Sequence, residues 1–364
     1  MNNRNGYLDF LRSTSAFFVV VGHFRYLIFI KSSSLGASVV LLMTGFAHQS
    51  VIVFFVISGY LIGGKLLANN CNLITFNEFK SSYLTNRIAR IVPAYVAALF
   101  LTVLIDSFVK IISFDINLHG EIERVRQSFT VLPSFFQITT HAFLIQSIFN
   151  TSFGSNQPLW SISYEWIIYF LFPLILYNRY AGIFVAVLLF CHNYNFLFYF
   201  LIWLVGAFAS YFYQKSIEVK YEFYNVFFIT LILLLLVLSK YIENQNMGLT
   251  QLVLDFLLAV AIAYSINTTG SKFPIALNNF FRFFASFSFS LYLIHFPLMI
   301  LFFVTVSILF RGSDLSQFQM DDIYGWLLFL FGLGFIVLCA RIFSLLFEKP
   351  LVFYKSKILI LFRS

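Results

Sequence analysis

The residues whose side chains are best suited to a chemical reaction are Arg12 and His23. They lie eleven positions apart in the first hydrophobic stretch of the chain. A helix turns about 100° per residue, so both side chains leave the same face, about 16 Å apart along the axis. Because a cation and a titratable ring are costly in lipid, the pair predicts a polar site inside a helical bundle. Asp9, three residues before Arg12, can pair with it on the helix. The alternative is an interfacial arginine and a hydrogen-bonded core histidine.

The composition predicts an all-α, polytopic membrane protein with about ten transmembrane helices. Of the 364 residues, 60% are apolar and 10% are charged, against about 25% charged residues in an average soluble domain. The first stretch lacks a small-residue cleavage site, so we expect a retained span and no cleaved signal peptide. The predicted spans cover residues 8–30, 37–64, 92–109, 158–177, 180–194, 196–213, 223–240, 249–268, 283–308 and 324–347.

Loop charge predicts the orientation of these spans. With the N-terminus in the cytoplasm, most of the 23 basic residues fall on the inner side, as the positive-inside rule requires. Both termini are then cytoplasmic, with one membrane domain at 1–350 and a short basic tail at 351–364. A longer outer loop covers 110–157. Its apolar stretch 128–150 is ambiguous, because polar residues interrupt it as in a re-entrant or interfacial segment.

Composition also argues against several other partners. The basic loops account for the net charge of +8, so we expect no nucleic-acid partner. The three cysteines, Cys71, Cys191 and Cys339, are far apart and have no thiol metal-site spacing. The six histidines show no HExxH-like spacing. We therefore expect neither a metal nor a permanently bound cofactor.

Two motifs belong to the second and third spans. Ser58 is a potential nucleophile, but no G-x-S-x-G elbow surrounds it, so a serine bonded to its own helix is the favoured interpretation. Gly59 and Gly63 form a small-xxx-small surface that lets another helix approach. Arg87 and Arg90 precede a proline near a predicted helix start. They either anchor the inner helix end or grip phosphate oxygens, which guanidinium binds bidentately.

A carboxylate stands out among the later spans. Glu165 lies one or two turns inside the fourth span, where a carboxylate is costly without a partner. Both a structural ion pair and a catalytic carboxylate fit this position, and the sequence leaves the two open. The other residues of interest in the later spans are Trp160, Ser161, Ser163, Tyr292, His295 and, at the end of the last span, Glu348.

Together these motifs resemble acyltransferase family 3, a family of integral membrane proteins, from Leu8 to Pro350 and in the family's order. Two positions depart from the usual pattern, with Ile162 in place of leucine and Phe289 in place of tyrosine. The matching residues are Arg12 and His23; Phe54, Phe55, Ser58 and Gly59; Arg87, Arg90, Ile91, Pro93 and Tyr95; Trp160, Ser161, Ser163 and Glu165; Ser288, Ser290, Leu291, Tyr292, Leu293 and His295; Glu348 and Pro350.

The resemblance implies an O-acyltransferase of the plasma membrane, which in bacteria is the inner membrane. Family members commonly move acetyl from acetyl-CoA to a hydroxyl of a glycan such as O-antigen, capsule or exopolysaccharide. It thus implies acetyl-CoA as co-substrate, a glycan or lipid-linked glycan as acceptor, and polysaccharide assembly proteins as further partners in the lipid bilayer. Some members carry an additional SGNH hydrolase-like domain. The sequence stops shortly after its last predicted span, so we expect transfer within the membrane domain or to a separate partner.

Predicted roles follow from the resemblance and the predicted topology. His23 is the general base on the acceptor hydroxyl, because histidine accepts a proton near neutral pH. Glu165 orients His23, binds the sugar or stabilises the imidazolium. Arg12, Arg87 and Arg90 lie at the inner face, where they hold CoA phosphates. A covalent acyl-histidine is the less favoured route.

Two other classes of protein remain open. A transporter or flippase of glycan intermediates also uses buried histidine, glutamate and arginine, although the sequence shows no inverted repeat. A scaffold in a polysaccharide assembly complex needs none of these side chains for chemistry. Acceptor-dependent thioester cleavage distinguishes the enzyme from both.

Overall fold

Helices dominate the protein in the computed structural model. The structure describes residues 6–28, 44–68, 79–113, 133–214, 224–244, 248–269, 275–309 and 323–363. This part of the chain is 91% helical and contains no strand, which confirms the predicted all-α, polytopic membrane fold. In chain order its main helices are α1 (Gly6–Ile28), α2 (Ala47–Ala68), α3 (Thr85–Ser113), α4 (Phe135–Ala142), α5 (Trp160–Tyr177), α6 (Arg179–His192), α7 (Tyr194–Gln214), α8 (Tyr224–Asn244), α9 (Gly248–Thr269), α10 (Ile275–Ala285), α11 (Ser288–Leu309), α12 (Ile323–Phe343) and α13 (Leu351–Arg363).

Each of the ten predicted spans coincides with one of these helices. Seven helical stretches, which include α2, α3, α5, α7, α9, α11 and α12, are long and apolar enough to cross a membrane. Shorter apolar stretches lie in α6 and α8. The remaining predicted span, 8–30, is α1, which is not among these apolar stretches and runs without a break through both Arg12 and His23. The continuous helix supports the spacing argument for these two residues.

The structure refines three sequence predictions. Within the stretch 128–150, the described residues form the short helix α4 and a series of turns, so this stretch is not a span. The predicted basic tail is largely the helix α13, which packs against α3. Residues 37–43 of the second predicted span, residues 114–132 of the outer loop, and Cys71 lie outside the described residues.

The chain divides into two compact units. The first unit comprises Met1–Val19, Phe46–Ile74 and Tyr164–Ser288, and the second comprises Val20–Gly45, Thr75–Ser163 and Phe289–Ser364. The helices α1 and α5 each contribute residues to both units.

In the first unit, α2 packs closely against α7, as the small-xxx-small pattern predicted. A Cβ atom on Gly59 would lie 1.9 Å from the backbone oxygen of Trp203. A Cβ on Gly206 would likewise lie 2.1 Å from the backbone oxygen of Val56. Both positions therefore require glycine, because a side chain there would push two helix backbones apart. The residues Gly59–Gly63 form a π-helical turn, a feature that often marks functional sites.

We expect the substitution Gly59→Ala to destabilise the protein by about 1–3 kcal/mol, the usual cost of overpacking. The opposing atoms belong to backbone and cannot rotate away, so the helices must separate. Gly334→Ala in α12 is the matched control, because its Cβ would have no atom within 4 Å. The thermal unfolding midpoint of each purified variant in detergent measures the effect. An equal midpoint for the two variants would show that the contact between α2 and α7 is not tight.

In the second unit, the C-terminal part of α1 packs through aromatic side chains. Phe24 is fully buried, and its ring lies 5.7 Å from that of Phe302 in α11 and 5.4 Å from that of Phe329 in α12. The absence of a side chain at Gly332 leaves room for the Phe24 ring, since a Cβ there would lie 2.3 Å from it. This packing fixes the helical segment that carries His23.

Candidate active site

His23 and His295 lie side by side in the second unit. Their ring centroids are 5.5 Å apart with an interplanar angle of 30°. The ring of Phe296 contacts His23 edge to face, also at 5.5 Å. His23 is partly accessible, whereas His295 is fully buried. The structure thus brings together two histidines that the sequence placed in different motifs.

Hydrogen bonding fixes the tautomer of His295. Its Nδ1 lies 2.6 Å from the backbone oxygen of Tyr292. A carbonyl oxygen can only accept, so Nδ1 carries the hydrogen and Nε2 of the neutral ring holds a lone pair. Among the described residues no hydrogen-bond donor reaches this Nε2 atom. A buried acceptor without a donor is uncommon and calls for an explanation.

The hydroxyl of Tyr292 connects the histidine segment to the start of α5. It donates to the backbone oxygen of Pro158 at 2.7 Å. Because the only hydrogen of the Tyr292 hydroxyl is used in that bond, Ser161 Oγ is the donor in its bond to the Tyr292 oxygen, at 2.6 Å. Trp160, the residue before Ser161, is partly exposed. Its backbone oxygen accepts a hydrogen bond from Ser147 Oγ. Within the second unit, the motif at Trp160 and Ser161 therefore positions the motif at Tyr292 and His295.

A proline in α11 creates a further link. Pro297 has no backbone N–H, so the carbonyl of Leu293, four residues earlier, lacks its usual helical donor. The side chain of Asn156 donates to this oxygen at 2.9 Å and to Thr102 in α3 at 3.1 Å. The preceding residue, Ser155, donates from its backbone N–H and its hydroxyl to Asp106 at 2.9 and 2.6 Å. The segment before α5 is thus bonded both to α3 and to the helix that carries His295.

Glu348 pairs with the same helix. Ser290 Oγ donates to Glu348 Oε2 at 2.6 Å, which joins the motif of α11 to the π-helical turn Ser344–Glu348 after α12. The carboxylate is partly buried and its contact is with a hydroxyl. The structure therefore gives Glu348 a role in holding two helix ends of the second unit together.

The predicted phosphate-binding arginines are held differently from one another. Arg90, at the start of α3, is exposed, whereas Arg87 is partly buried. The guanidinium of Arg87 lies 5.8 Å from the ring centroid of Tyr83, within cation–π range. In the first unit, Arg12 is partly buried and Asp9 is buried, both on the N-terminal half of α1.

Glu165 belongs to a directional hydrogen-bond chain in the first unit. The Tyr169 hydroxyl donates to Glu165 Oε1. Ser58 Oγ therefore donates to the Tyr169 oxygen at 3.0 Å, and the Trp203 indole N–H donates to Ser58 at 3.1 Å. The expected bond from Ser58 to its own helix is wrong, because Tyr169 and Trp203 take both of its hydrogen-bonding roles. Every donor in the chain points toward the carboxylate.

The sequence missed a second polar cluster in the first unit. Asp255 of α9 is 2% exposed, and its Oδ2 lies 2.7 Å from His48 Nε2 of α2. Its Oδ1 accepts from Ser239 and from Gln251, each at 3.0 Å. Gln49 also donates to Ser239, at 2.9 Å. A carboxylate and a histidine within predicted spans were the available signal, since intramembrane ionisable residues are rare.

The two units differ in what their polar groups can do chemically. The second unit presents a partly accessible histidine beside a buried histidine of fixed tautomer. The first unit presents a carboxylate with its donors arranged behind it. A base suits proton removal from a hydroxyl or thiol, and a carboxylate suits hydrogen bonds to hydroxyl groups.

Comparison with known proteins identifies the family. The sequence profile of the acyltransferase domain of acyltransferase family 3 matches residues 5–345, nearly the whole chain. An uncharacterised protein of Haemophilus influenzae is 31% identical over 131 residues, which are 35% of this chain and 49% of that protein. The alignment thus spans about half of that relative's length. No solved structure matches the chain. Because the profile matches nearly the whole chain, the chain belongs to acyltransferase family 3.

Proposed function

We propose that this protein transfers an acetyl group from acetyl-CoA to a hydroxyl of a cell-surface glycan, with His23 as the general base. The observation that carries the proposal is the placement of His23 on α1, partly accessible and in ring contact with the buried His295. An intramembrane histidine is costly in free energy, so its presence indicates a functional role or a stabilising partner. In an acyltransferase, proton removal from the acceptor is the step that needs such a base.

The proposed reaction has one proton acceptor and one leaving group. A ring nitrogen of His23 takes the proton of the acceptor hydroxyl as its oxygen attacks the thioester carbonyl carbon. A new carbon–oxygen bond forms, and collapse of the tetrahedral intermediate breaks the carbon–sulfur bond. The departing thiolate of CoA takes the proton from His23, which restores the neutral ring. A general base of this kind is commonly worth about 10²–10⁴-fold in rate.

We assign the phosphates of the acyl donor to arginine side chains. Arg90 is exposed, and Arg87 keeps its guanidinium beside the Tyr83 ring. Guanidinium groups bind phosphate oxygens in bidentate geometry, and their charge is permanent. Arg12 is a third candidate. All three fall on the cytoplasmic side in the predicted topology, where acyl-CoA is made.

We assign acceptor recognition to the first unit. Glu165 has Tyr169 Oη as a donor to one carboxylate oxygen, and a charged carboxylate offers further lone pairs to sugar hydroxyls. The predicted topology puts Glu165 near the outer face of an inner membrane with both chain termini in the cytoplasm. The acceptor is then a glycan or lipid-linked glycan, and polysaccharide assembly proteins are the expected partners.

The test is acyl transfer by the purified protein in liposomes. The assay supplies acetyl-CoA labelled in the acetyl group and glycans extracted from cells that lack the gene. Mass spectrometry of the glycan then looks for a gain equal to one acetyl group, and free CoA is measured alongside it. Acceptor-dependent release of CoA with a labelled glycan supports the proposal. Movement of glycan across the bilayer without acyl-CoA, and without a mass change, would instead show a transporter.

A further inference from the structure

The buried Nε2 atom of His295 has no hydrogen-bond donor among the described residues in the arrangement that the structure shows. His295 is 0% exposed, so bulk water does not reach its ring, and the groups packed against the ring are the first candidates for the donor. The rings that touch His295 in the second unit are those of His23, Tyr292 and Phe296. Phenylalanine has no donor, and the Tyr292 hydroxyl donates to Pro158. Of these three rings, that of His23 has an N–H that can serve as the donor.

We propose that His295 is a positioning residue whose Nε2 accepts a hydrogen bond from His23 while His23 holds the proton of the acceptor hydroxyl. The neutral His23 ring has one N–H and one lone pair, and the lone pair takes the hydroxyl proton. Both ring nitrogens of the imidazolium then carry hydrogens, and one of them donates to His295. The proton stays on His23 until the CoA thiolate takes it. This inference rests on the proposed function of His23 as the base.

The geometry of His295 suits this positioning role better than it suits the role of a second base. Its Nδ1–H bond to the Tyr292 backbone keeps Nε2 as an acceptor, and the contacts of Tyr292 with Pro158 and Ser161 hold that segment in place. A hydrogen bond to a charged group is roughly twice as strong as a neutral one. The interaction therefore strengthens as the imidazolium forms, which is the condition for lowering the barrier.

Two substitutions at one position separate this role from a structural one. Asparagine keeps an N–H near the place of Nδ1, so His295→Asn retains a donor to the Tyr292 backbone and loses the acceptor at Nε2. Glutamine reaches the place of Nε2 with a carbonyl oxygen, so His295→Gln retains that acceptor and loses the donor at Nδ1. His192→Asn, at the exposed end of α6, is the matched control.

The measurements are kcat, KM for acetyl-CoA and the thermal midpoint of each variant in the liposome assay. We expect His295→Asn to lower kcat by about 10²-fold, the lower end of the range for base catalysis, with KM unchanged. His295→Gln is expected to recover about tenfold of this loss, since a neutral hydrogen bond replaces part of the interaction.

The reverse order, with full activity in His295→Asn and loss in His295→Gln, would overturn the inference and leave the proposed function standing. If His295→Gln does not accumulate, the result for His295→Asn decides, because a purely structural role predicts wild-type kcat for it. Absence of acyl transfer by the wild-type protein would overturn the proposed function and this inference together.

Discussion

Replacing His23 with alanine is expected to lower acyl transfer by about 10²–10⁴-fold, the range of a general base. The imidazole is the proposed proton acceptor, and the histidine beside it is buried with its tautomer fixed. His295 is therefore not expected to act as the base in place of His23. Binding of acetyl-CoA is expected to be unchanged, because the phosphates are assigned to arginines on other turns and helices. The liposome assay gives the rate, and equilibrium binding of labelled acetyl-CoA gives the affinity.

Two controls make this result specific to the base. His192→Ala removes an exposed imidazole at the end of α6 and is expected to retain the wild-type rate. The amount of His23→Ala protein in the membrane and its thermal midpoint show whether the fold is retained. Wild-type activity in a folded His23→Ala protein would exclude His23 as the base.

Replacing Asp255 with alanine is expected to destabilise the protein by about 3–5 kcal/mol, the cost of breaking a buried ion pair or network. The carboxylate is 2% exposed and bonded to His48, Ser239 and Gln251. Its removal takes the acceptor from the buried Ser239 hydroxyl and from the partly buried side chains of His48 and Gln251, and a buried donor left without an acceptor costs about 1–3 kcal/mol. Unfolding of the purified protein by SDS in mixed micelles measures the change.

Asp255→Asn tests whether hydrogen bonding or charge dominates this cluster. The amide oxygen still accepts from Ser239 and Gln251, and the amide N–H donates to His48 if that ring presents a lone pair. We therefore expect Asp255→Asn to lose less than half the free energy that Asp255→Ala loses. Equal losses in the two variants would show that the negative charge beside His48 holds α2, α8 and α9 together.

The sequence predicted the spans well because apolar length is a local property. The runs that became α5, α11 and α12 are recognisable without any knowledge of their neighbours. The glycine spacing in α2 likewise predicted close packing, since small residues allow helix contact wherever they occur. It did not identify α7 as the partner, because that choice depends on Gly206 and Trp203, which are distant in sequence.

The candidate site was predictable residue by residue, but its connections were not. Tyr169 lies four positions after Glu165, so helical spacing alone suggests their contact. The bond from Ser58 to Tyr169 joins residues 111 positions apart and depends on how helices pack. His23 and His295 were each singled out from the sequence, yet no local pattern shows that their rings touch. The pair formed by His48 and Asp255 was missed for the same reason.

The hydrogen bond from Asn156 to Leu293 has a consequence for how the chain tolerates change. Asn156 supplies the hydrogen that Pro297 does not, so the need for a donor to Leu293 at position 156 exists only while proline occupies position 297. A residue with a backbone N–H at 297 would satisfy Leu293 within α11 and remove that need. The two positions are therefore expected to vary together among relatives, although neither side chain has a proposed part in the chemistry.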